Sequence, residues 1–440
     1  MQRTEKKDQD KGITTISVQG FKSLANESRI EVRPLTILAG ANSSGKSSIM
    51  QPLLLMKQTL EASYDPGPLL LNGPNVKFTS ANQFISRLQK DSGSQEFSVE
   101  IEHEKYRMLK VAFSLNEDHT LEIWKMIIKE GKYSLSVIPN QGLDDLENPI
   151  LTSRLEEIGW PKEHTPLISI ISNRCFLDIN FKRRNVVAVY SEVCESGGFS
   201  EPYSKTLLSL IHVPGLRGNP ERIYPKTATG TDFTGTFENY VASVIAHWEG
   251  TKDVRLKSLE AMLIDLGLTW KISANTINYT QIELQVGRLP KAKRGDEDLV
   301  SIADVGFGVS QVLPVLVALL VAKPGQLVYI EQPELHLHPR AQYALAKILA
   351  DTAKRGVKLV VETHSALLLL QVQTLVAKRD LDPDLVKLHW FSRSDEDGTT
   401  SIESADLDEN GAFGDWPEDF GDIEWKAEGA YLDAVEGRSK

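Results

Sequence analysis

The chain has 440 residues, 41% of them hydrophobic and 25% charged, with a formal net charge of −11. That length exceeds what one hydrophobic core usually serves, so two lobes or a large insertion are expected. The acidic balance rules out nucleic-acid binding through overall charge, and Cys175 and Cys194 are too few for a disulfide framework or a zinc cluster, so they read as packing residues of a reducing compartment.

In chain order, the opening MQRTEKKDQDKG is charged and lacks an apolar run of signal-peptide length, and the longest apolar stretch, Val312 to Ala322, is too short to span a bilayer. A cytoplasmic location without membrane contact is expected. Ile13 to Val18 and Leu35 to Leu38 read as strands, the second leading through glycine and polar residues into a helical pattern from Ser47 to Leu60. Glu96 to Leu115 and Thr120 to Val137 alternate apolar and polar residues, as in an antiparallel sheet. From Asn140 to Pro214 a strand at 185–190 and helices near Leu151 and Lys205 stand out, without an assignable topology. Helical spacing returns at Phe237 to Trp248 and Val254 to Leu266, the expected small lobe. Leu327 to Ile330, Arg340 to Thr352 and Val357 to Val361 give strand, helix, strand, the mark of a parallel sheet. Past Asp395 the chain turns acidic and Gly-rich and reads as a peripheral appendage.

Gly40-Ala-Asn-Ser-Ser-Gly-Lys-Ser47 is an eight-residue Walker A pattern placed between a strand and a helix. Its glycines let the backbone curl, so that N–H groups from Asn42, Ser43, Ser44 and Gly45 through Ser48 face a β-phosphate at a helix N-terminus. Lys46 is then expected to bridge the β- and γ-phosphates of ATP and Ser47 to ligate Mg2+. A strand ending in an acid, Leu327-Val-Tyr-Ile-Glu331, supplies a Walker B carboxylate for the metal, and Lys358-Leu-Val-Val-Glu-Thr-His364 places a histidine at a strand end where it could sense the γ-phosphate.

Together with Asp304-Val-Gly-Phe-Gly-Val-Ser-Gln-Val-Leu-Pro314, Tyr329 to Pro339 and Glu362-Thr-His-Ser365, the phosphate loop resembles the ABC-type ATPases of the SMC/RecF group. The nearest resemblance is to the prokaryotic branch with the overcoming-lysogenization-defect and Septu-type defence ATPases. Gly20-Phe-Lys-Ser23 and Asp415-Trp-Pro417 resemble a subset of that branch. The resemblance implies an α/β P-loop NTPase of ABC-ATPase head type, with a mixed sheet, an antiparallel β subdomain and a helical lobe. It also implies a head-to-tail homodimer around two ATP molecules, each held by the Walker motifs of one subunit and the signature segment of the other, with Gly308 and Ser310 as contacts. On this reading residues 1–84 and 301–395 build the ATPase lobe, 85–235 a β-rich insertion, 236–300 a helical lobe and 396–440 the appendage. Gln83 is taken for the glutamine that links the γ-phosphate to the variable lobe.

In most such heads the residue after the Walker B acid is a glutamate that polarises the attacking water; here it is Gln332. A carboxamide takes up no proton at neutral pH, and loss of a general base costs about 10²- to 10⁴-fold in rate. Hydrolysis is therefore slow, or Glu334 takes the role, or His364 and solvent act alone. Glu334, His336 and His338 also have period-two spacing for a Glu/His/His metal site, the basis of a rival metal-hydrolase reading, against a role as structural or dimer-contact histidines. A further rival is an ATP-binding sensor without useful turnover. Phe181-Lys-Arg-Arg184 and Lys291-Ala-Lys-Arg294 are basic clusters that either contact DNA or form a solvated face. Arg217 and Arg222 either reach phosphate or make structural salt links. No nuclease pattern follows Ser365, so any DNA cleavage falls to a separate effector. The expected role is control of a DNA transaction or of such an effector, in phage defence or DNA repair.

Overall fold

The computed structural model describes residues 12–88, 95–105, 107–139, 141, 143, 147–161, 166–182, 194–196, 198–230, 232–288, 298–414 and 429–434. The strand expected at 185–190, Arg183 and Arg184, the basic run 291–294 and the Asp415-Trp416-Pro417 phrase lie outside those residues.

Strands β1 (Ile13–Gln19), β2 (Ser28–Glu31) and β3 (Leu35–Gly40) lead into helix α1 (Lys46–Glu61). The alternating segments form β4 (Glu96–His103), β5 (Arg107–Leu115), β6 (Leu121–Glu130) and β7 (Tyr133–Val137), antiparallel in the order β2-β1-β4-β5-β6-β7. Next come α2 (Pro149–Glu157) and a small sheet of β8 (Leu167–Asn173), β9 (Phe176–Lys182) and β10 (Cys194–Ser196). Helix α3 (Glu201–Ser209), β11 (Ile211–Val213) and β12 (Tyr224–Pro225) follow. A lobe then combines α4 (Val241–Thr251) and α5 (Val254–Asp265) with β13 (Ile272–Asn278), β14 (Gln281–Gly287) and β15 (Leu299–Ser301). The chain returns through α6 (Phe307–Val321), β16 (Leu327–Glu331), α7 (Pro339–Lys354), β17 (Lys358–Glu362), α8 (Ala366–Ala377), β18 (Val386–Arg393) and β19 (Thr400–Ala405).

The central sheet runs β11-β16-β17-β3-β18-β19, parallel except for the final β18-β19 hairpin. Its inner strands β3, β16 and β17 are buried and mainly apolar because both faces are covered. Leu35, Ile37, Val328, Ile330, Leu359 and Val361 point into one core with α4 to α8, whereas Leu38, Leu327, Tyr329 and Val360 point into a second with α1 and the antiparallel sheet. Each such side chain, once fully buried, contributes about 1.5–3 kcal/mol. The two layers fix the carboxyl ends of β3, β16 and β17 side by side, where ligands bind in sheets of this type.

Boundaries drawn from the sequence shift at three places. Strand β11, inside the expected insertion 85–235, is an edge strand of the central sheet, paired with β16 from Ile211 opposite Val328 to Val213 opposite Ile330. The lobe expected to be helical at 236–300 carries β13 and β14 as well as its helices. Strand β19 lies past the boundary at 395 yet pairs with β18 along its whole length, so the chain leaves the sheet only after Ala405. The acidic, Gly-rich composition that suggested an appendage belongs to the hairpin turn and to the residues beyond this strand.

His389 sits in β18 at 1% exposure, its Nε2 facing the Glu31 carbonyl at 2.9 Å and its Nδ1 the Ser404 hydroxyl at 2.7 Å. Burial pulls its pKa from the ordinary 6.5 down to about 4. The unfolded chain therefore takes up this proton first. The stability held by neutral His389 is complete above about pH 6.5 and drains away as pH falls towards 4, by about 3 kcal/mol for a shift of this size. Urea denaturation of His389→Gln is expected to give a lower stability at pH 7 but a flatter dependence between pH 6.5 and 4 than wild type.

Candidate nucleotide and metal site

The loop after β3 is shaped by residues that accept left-handed backbone. Gly40 has φ 141° and Gly45 φ 100°, and Ser43 joins them at φ 61°. A Cβ on Gly40 would lie 2.2 Å from the Phe391 carbonyl oxygen, and one on Gly45 2.7 Å from Thr400 Oγ1, so neither position admits a side chain. Thr400 of β19 clamps the loop from outside: its hydroxyl lies 2.8 Å from Ser23 Oγ and 2.8 Å from the Ser44 carbonyl. The phosphate loop thus rests on the Gly20-Phe-Lys-Ser turn and on the hairpin.

Above the loop opens a cleft of about 500 Å³. Asn42, Ser43, Ser44, Gly45, Lys46, Ser47 and Ser48 form its floor, and Gln332, Glu362 and His364 the wall supplied by β16 and β17. Gln83 lines it as well, its Oε1 accepting a hydrogen bond from the Thr79 N–H at 2.9 Å. Lys46 Nζ donates to the Gly40 and Ala41 carbonyls at 3.0 and 2.7 Å. Burial lowers its pKa, against the opposing fields of Glu362 and Glu334. Lys22 and Arg393 line the same cleft, Lys22 held by Gln51 at 2.6 Å. Lys22 belongs to the Gly20-Phe-Lys-Ser23 phrase, whereas no sequence pattern marks Arg393. Three cations and a ring of N–H groups in one cleft suit a polyphosphate.

The carboxylates are arranged differently from expectation. Glu331 Oε1 meets His212 Nε2 at 3.1 Å and Oε2 accepts from Gly215 N–H at 3.1 Å, and the residue does not line the cleft. Burial alone would raise its pKa, but the hydrogen bonds, that to His212 foremost, hold it below the ordinary carboxylate range. His212, in turn, reaches Asn75 Oδ1 at 3.0 Å through Nδ1 and stacks on the Tyr329 ring at 5.4 Å. Glu362, opposite Glu331 on β17, is the acid that touches the loop: its Oε2 accepts from Ser47 Oγ at 2.9 Å, and its Oε1 accepts from the Tyr329 hydroxyl. Burial, followed by the neighbouring Glu331 charge, pushes its pKa up to about 7. The Ser47 and Glu362 oxygens form a hard donor pair that fits Mg2+.

Glu334, a candidate base from sequence, does not line the cleft. It is buried behind the wall with Oε1 accepting from His364 N–H at 2.7 Å, and burial raises its pKa. It orients His364, whose own pKa is lowered by burial and then by Lys46. The period-two metal site does not form. Residues 333–336 are a turn, with His336 at φ 61°, packed against Phe307 at 5.9 Å between ring centres, while His338 caps α7. Among the described residues no group of three or more His, Cys, Asp or Glu side chains could hold a metal. Pro333 and Pro339 break the extended backbone such a site would need.

Gly308 and Ser310 lie on the first turn of α6, outside the chain's own cleft. Ser310 is half-buried and donates to the Phe307 carbonyl at 2.9 Å, and Phe307 is half exposed beside it. Arg217 does not reach the cleft. Its guanidinium is buried on the carbonyls of Pro214, Gln311, Glu331 and Gln332, while Arg222 pairs at the surface with Asp304 at 2.5 Å.

Residues 12–162 match the family model described as "AAA ATPase domain", and residues 199–370 the model described as "AAA domain, putative AbiEii toxin, Type IV TA system". The fold is that of a P-loop ATPase. Solved structures similar to this chain include an Smc head bound to the C-terminal winged-helix domain of ScpA, at 13% identity over 90% of this chain and 98% of that one, with a TM-score of 0.49. Others are the SMC head domain from Thermotoga maritima (12%, 89% and 98%, TM-score 0.38) and a Pyrococcus furiosus Smc head with an extended coiled coil bound to the C-terminal domain of ScpA (11%, 90% and 96%, TM-score 0.46). No curated protein matches the chain in sequence. Among the described residues no helix is long and apolar enough to cross a membrane.

Proposed function

We propose that the chain binds ATP with Mg2+ in this cleft, hydrolyses it slowly, and pairs head to tail with a second copy when loaded. The observation that carries the reading is the wall at Gln332. A carboxamide stands where a water-activating carboxylate would be, in a cleft whose loop, lysines and His364 suit a triphosphate. Binding and orientation are then intact while proton abstraction is weak, so the ATP-bound state persists. The first turn of α6, with Gly308 and Ser310 outside their own cleft, would cap the nucleotide of another subunit.

Such a long-lived dimer suits a switch more than a motor. In a cytoplasmic setting its output would be control of a DNA transaction or of a separate effector nuclease, in defence against phage or in repair. An ATP sensor without turnover shares the same binding chemistry and is separated by a cleavage measurement. Molar mass by light scattering, with and without ATP, is expected to double for wild type and to stay at the monomer for Lys46→Ala. A wild-type protein that stays monomeric with bound ATP would end the dimer reading, and retention of labelled ATP without slow release of phosphate would select the sensor.

A further inference from the structure

Two hydroxyls outside the phosphate-loop pattern, those of Thr400 and Ser23, stand 2.7 and 2.9 Å from where a Cβ on Gly45 would lie. Thr400 opens β19 opposite Arg393 of β18, and β18 runs beside β3 as far as Phe391 opposite Gly40, so the hairpin carries Thr400 against the back of the loop. Its own N–H donates to the Ser23 carbonyl at 2.8 Å, and both residues are buried.

The Thr400 hydroxyl has one proton. The Ser44 carbonyl, 2.8 Å away, can only accept, so the proton is committed there, with Ser23 Oγ at 2.8 Å on the other side of the hydroxyl. A trans peptide carries its C=O and N–H on opposite sides, and the described residues contain no cis peptide bond. A Ser44 carbonyl tied back to β19 therefore turns the Gly45 N–H forward, to the cleft that Gly45 lines. Among the described residues that N–H has no partner in the chain.

We propose that Thr400 is a positioning residue for the phosphate end of the cleft: its hydroxyl fixes the peptide between Ser44 and Gly45 so that the Gly45 N–H faces a phosphate oxygen before the nucleotide arrives. The assignment rests on the nucleotide-binding reading above and deepens it. Gly45, at φ 100°, has the conformational freedom to let this peptide plane rotate, and a carbonyl turned into the cleft would repel the polyphosphate that the N–H attracts. A donor locked in place from outside the loop needs no reorganisation when the ligand binds.

The test measures the affinity of the full chain for a non-hydrolysable fluorescent ATP analogue, and its displacement by inorganic tripolyphosphate, for wild type, Thr400→Val, Thr400→Ala, Thr400→Ser and His389→Gln. Thr400→Val, close in shape but without the hydroxyl, is expected to bind both ligands about tenfold more weakly, because the loss falls on the phosphates they share. Thr400→Ala gives the same loss without a methyl against the Ser44 carbonyl, and it carries the test if the valine variant does not fold. Thr400→Ser keeps the hydroxyl and stays within about twofold of wild type. His389→Gln weakens the same hairpin while leaving the hydroxyl, and binds as wild type does. Unchanged binding in Thr400→Val or Thr400→Ala overturns the assignment, as does an equal loss in His389→Gln, which would reduce Thr400 to a general support of the hairpin. A wild-type protein that binds neither ligand instead refutes nucleotide binding itself.

Discussion

Gln332→Glu is expected to speed single-turnover ATP cleavage by about 10²- to 10⁴-fold, equivalent to ~3–5 kcal/mol of barrier. Gln332 has φ 44°, its N–H donates to the Glu362 carbonyl at 2.9 Å, and its side chain lines the cleft. A glutamate of the same length would occupy the same space with an oxygen able to take a proton. The neighbouring Glu362 and Glu331 charges would push its pKa up from the ordinary carboxylate range, towards the working pH, which favours general-base action. Rapid-quench measurement of labelled phosphate release, with protein in excess of ATP, reads the chemical step. Equal rates for wild type and Gln332→Glu would mean that His364 and solvent already carry the reaction. Glu334→Gln separates the remaining option. If Glu334 were the base its loss would slow cleavage as much as Gln332→Glu speeds it, whereas a group that only orients the His364 backbone changes the rate modestly.

What the sequence could reveal followed from how local each signal is. The phosphate loop is a contiguous stretch whose glycines and lysine act within one turn, so Gly40 to Ser48 was readable without tertiary knowledge. The same holds for the alternating strands β4 to β7 and for the apolar strands β3, β16 and β17. Strand β11 was not readable. Ile211-His-Val is three residues long, and its membership of the sheet depends on Val328 to Ile330, more than a hundred residues away. His212 was missed for the same reason, although a lone histidine in an apolar triplet just before Pro214-Gly215 is a usable signal. Thr400 was not readable because the composition past Asp395 suggested that the sheet had ended, and Arg393 comes near the loop only because β18 pairs with β3. Glu362 and Glu331 are equivalent in pattern, each an acid ending an apolar strand, and only the order β16-β17-β3 sets Glu362 beside Ser47.

The second large effect is expected at Arg217, whose loss should cost about 3–5 kcal/mol, as for other buried charges removed from their partners. Its Nη1 donates to the Gln311 carbonyl at 2.6 Å, its Nη2 to the Glu331 and Gln332 carbonyls at 2.7 and 3.0 Å, and its Nε to the Pro214 carbonyl at 2.9 Å. Gln311 returns the contact, its Nε2 donating to the Arg217 carbonyl at 2.9 Å. Burial pulls the guanidinium pKa down to about 10, against the fields of Glu334, Glu238 and Glu331, so the group stays charged at neutral pH and replaces water for every carbonyl it touches. Arg217→Met fills much of the space but strands those carbonyls, and Arg217→Lys restores the charge without the planar fork. Guanidinium denaturation is therefore expected to rank wild type above Arg217→Lys and Arg217→Met below both. A midpoint for Arg217→Met equal to that of wild type would show the network to be dispensable. The same side chain ties the backbone at Glu331 and Gln332 to the second turn of α6, directly after Gly308 and Ser310. On the proposed function, a shift of Gln332 on γ-phosphate loss would be felt through Arg217 by the segment proposed to meet the partner subunit. In Arg217→Lys, if it remains folded, ATP binding should survive while the ATP-dependent rise in molar mass weakens, a separation that a merely structural arginine would not produce.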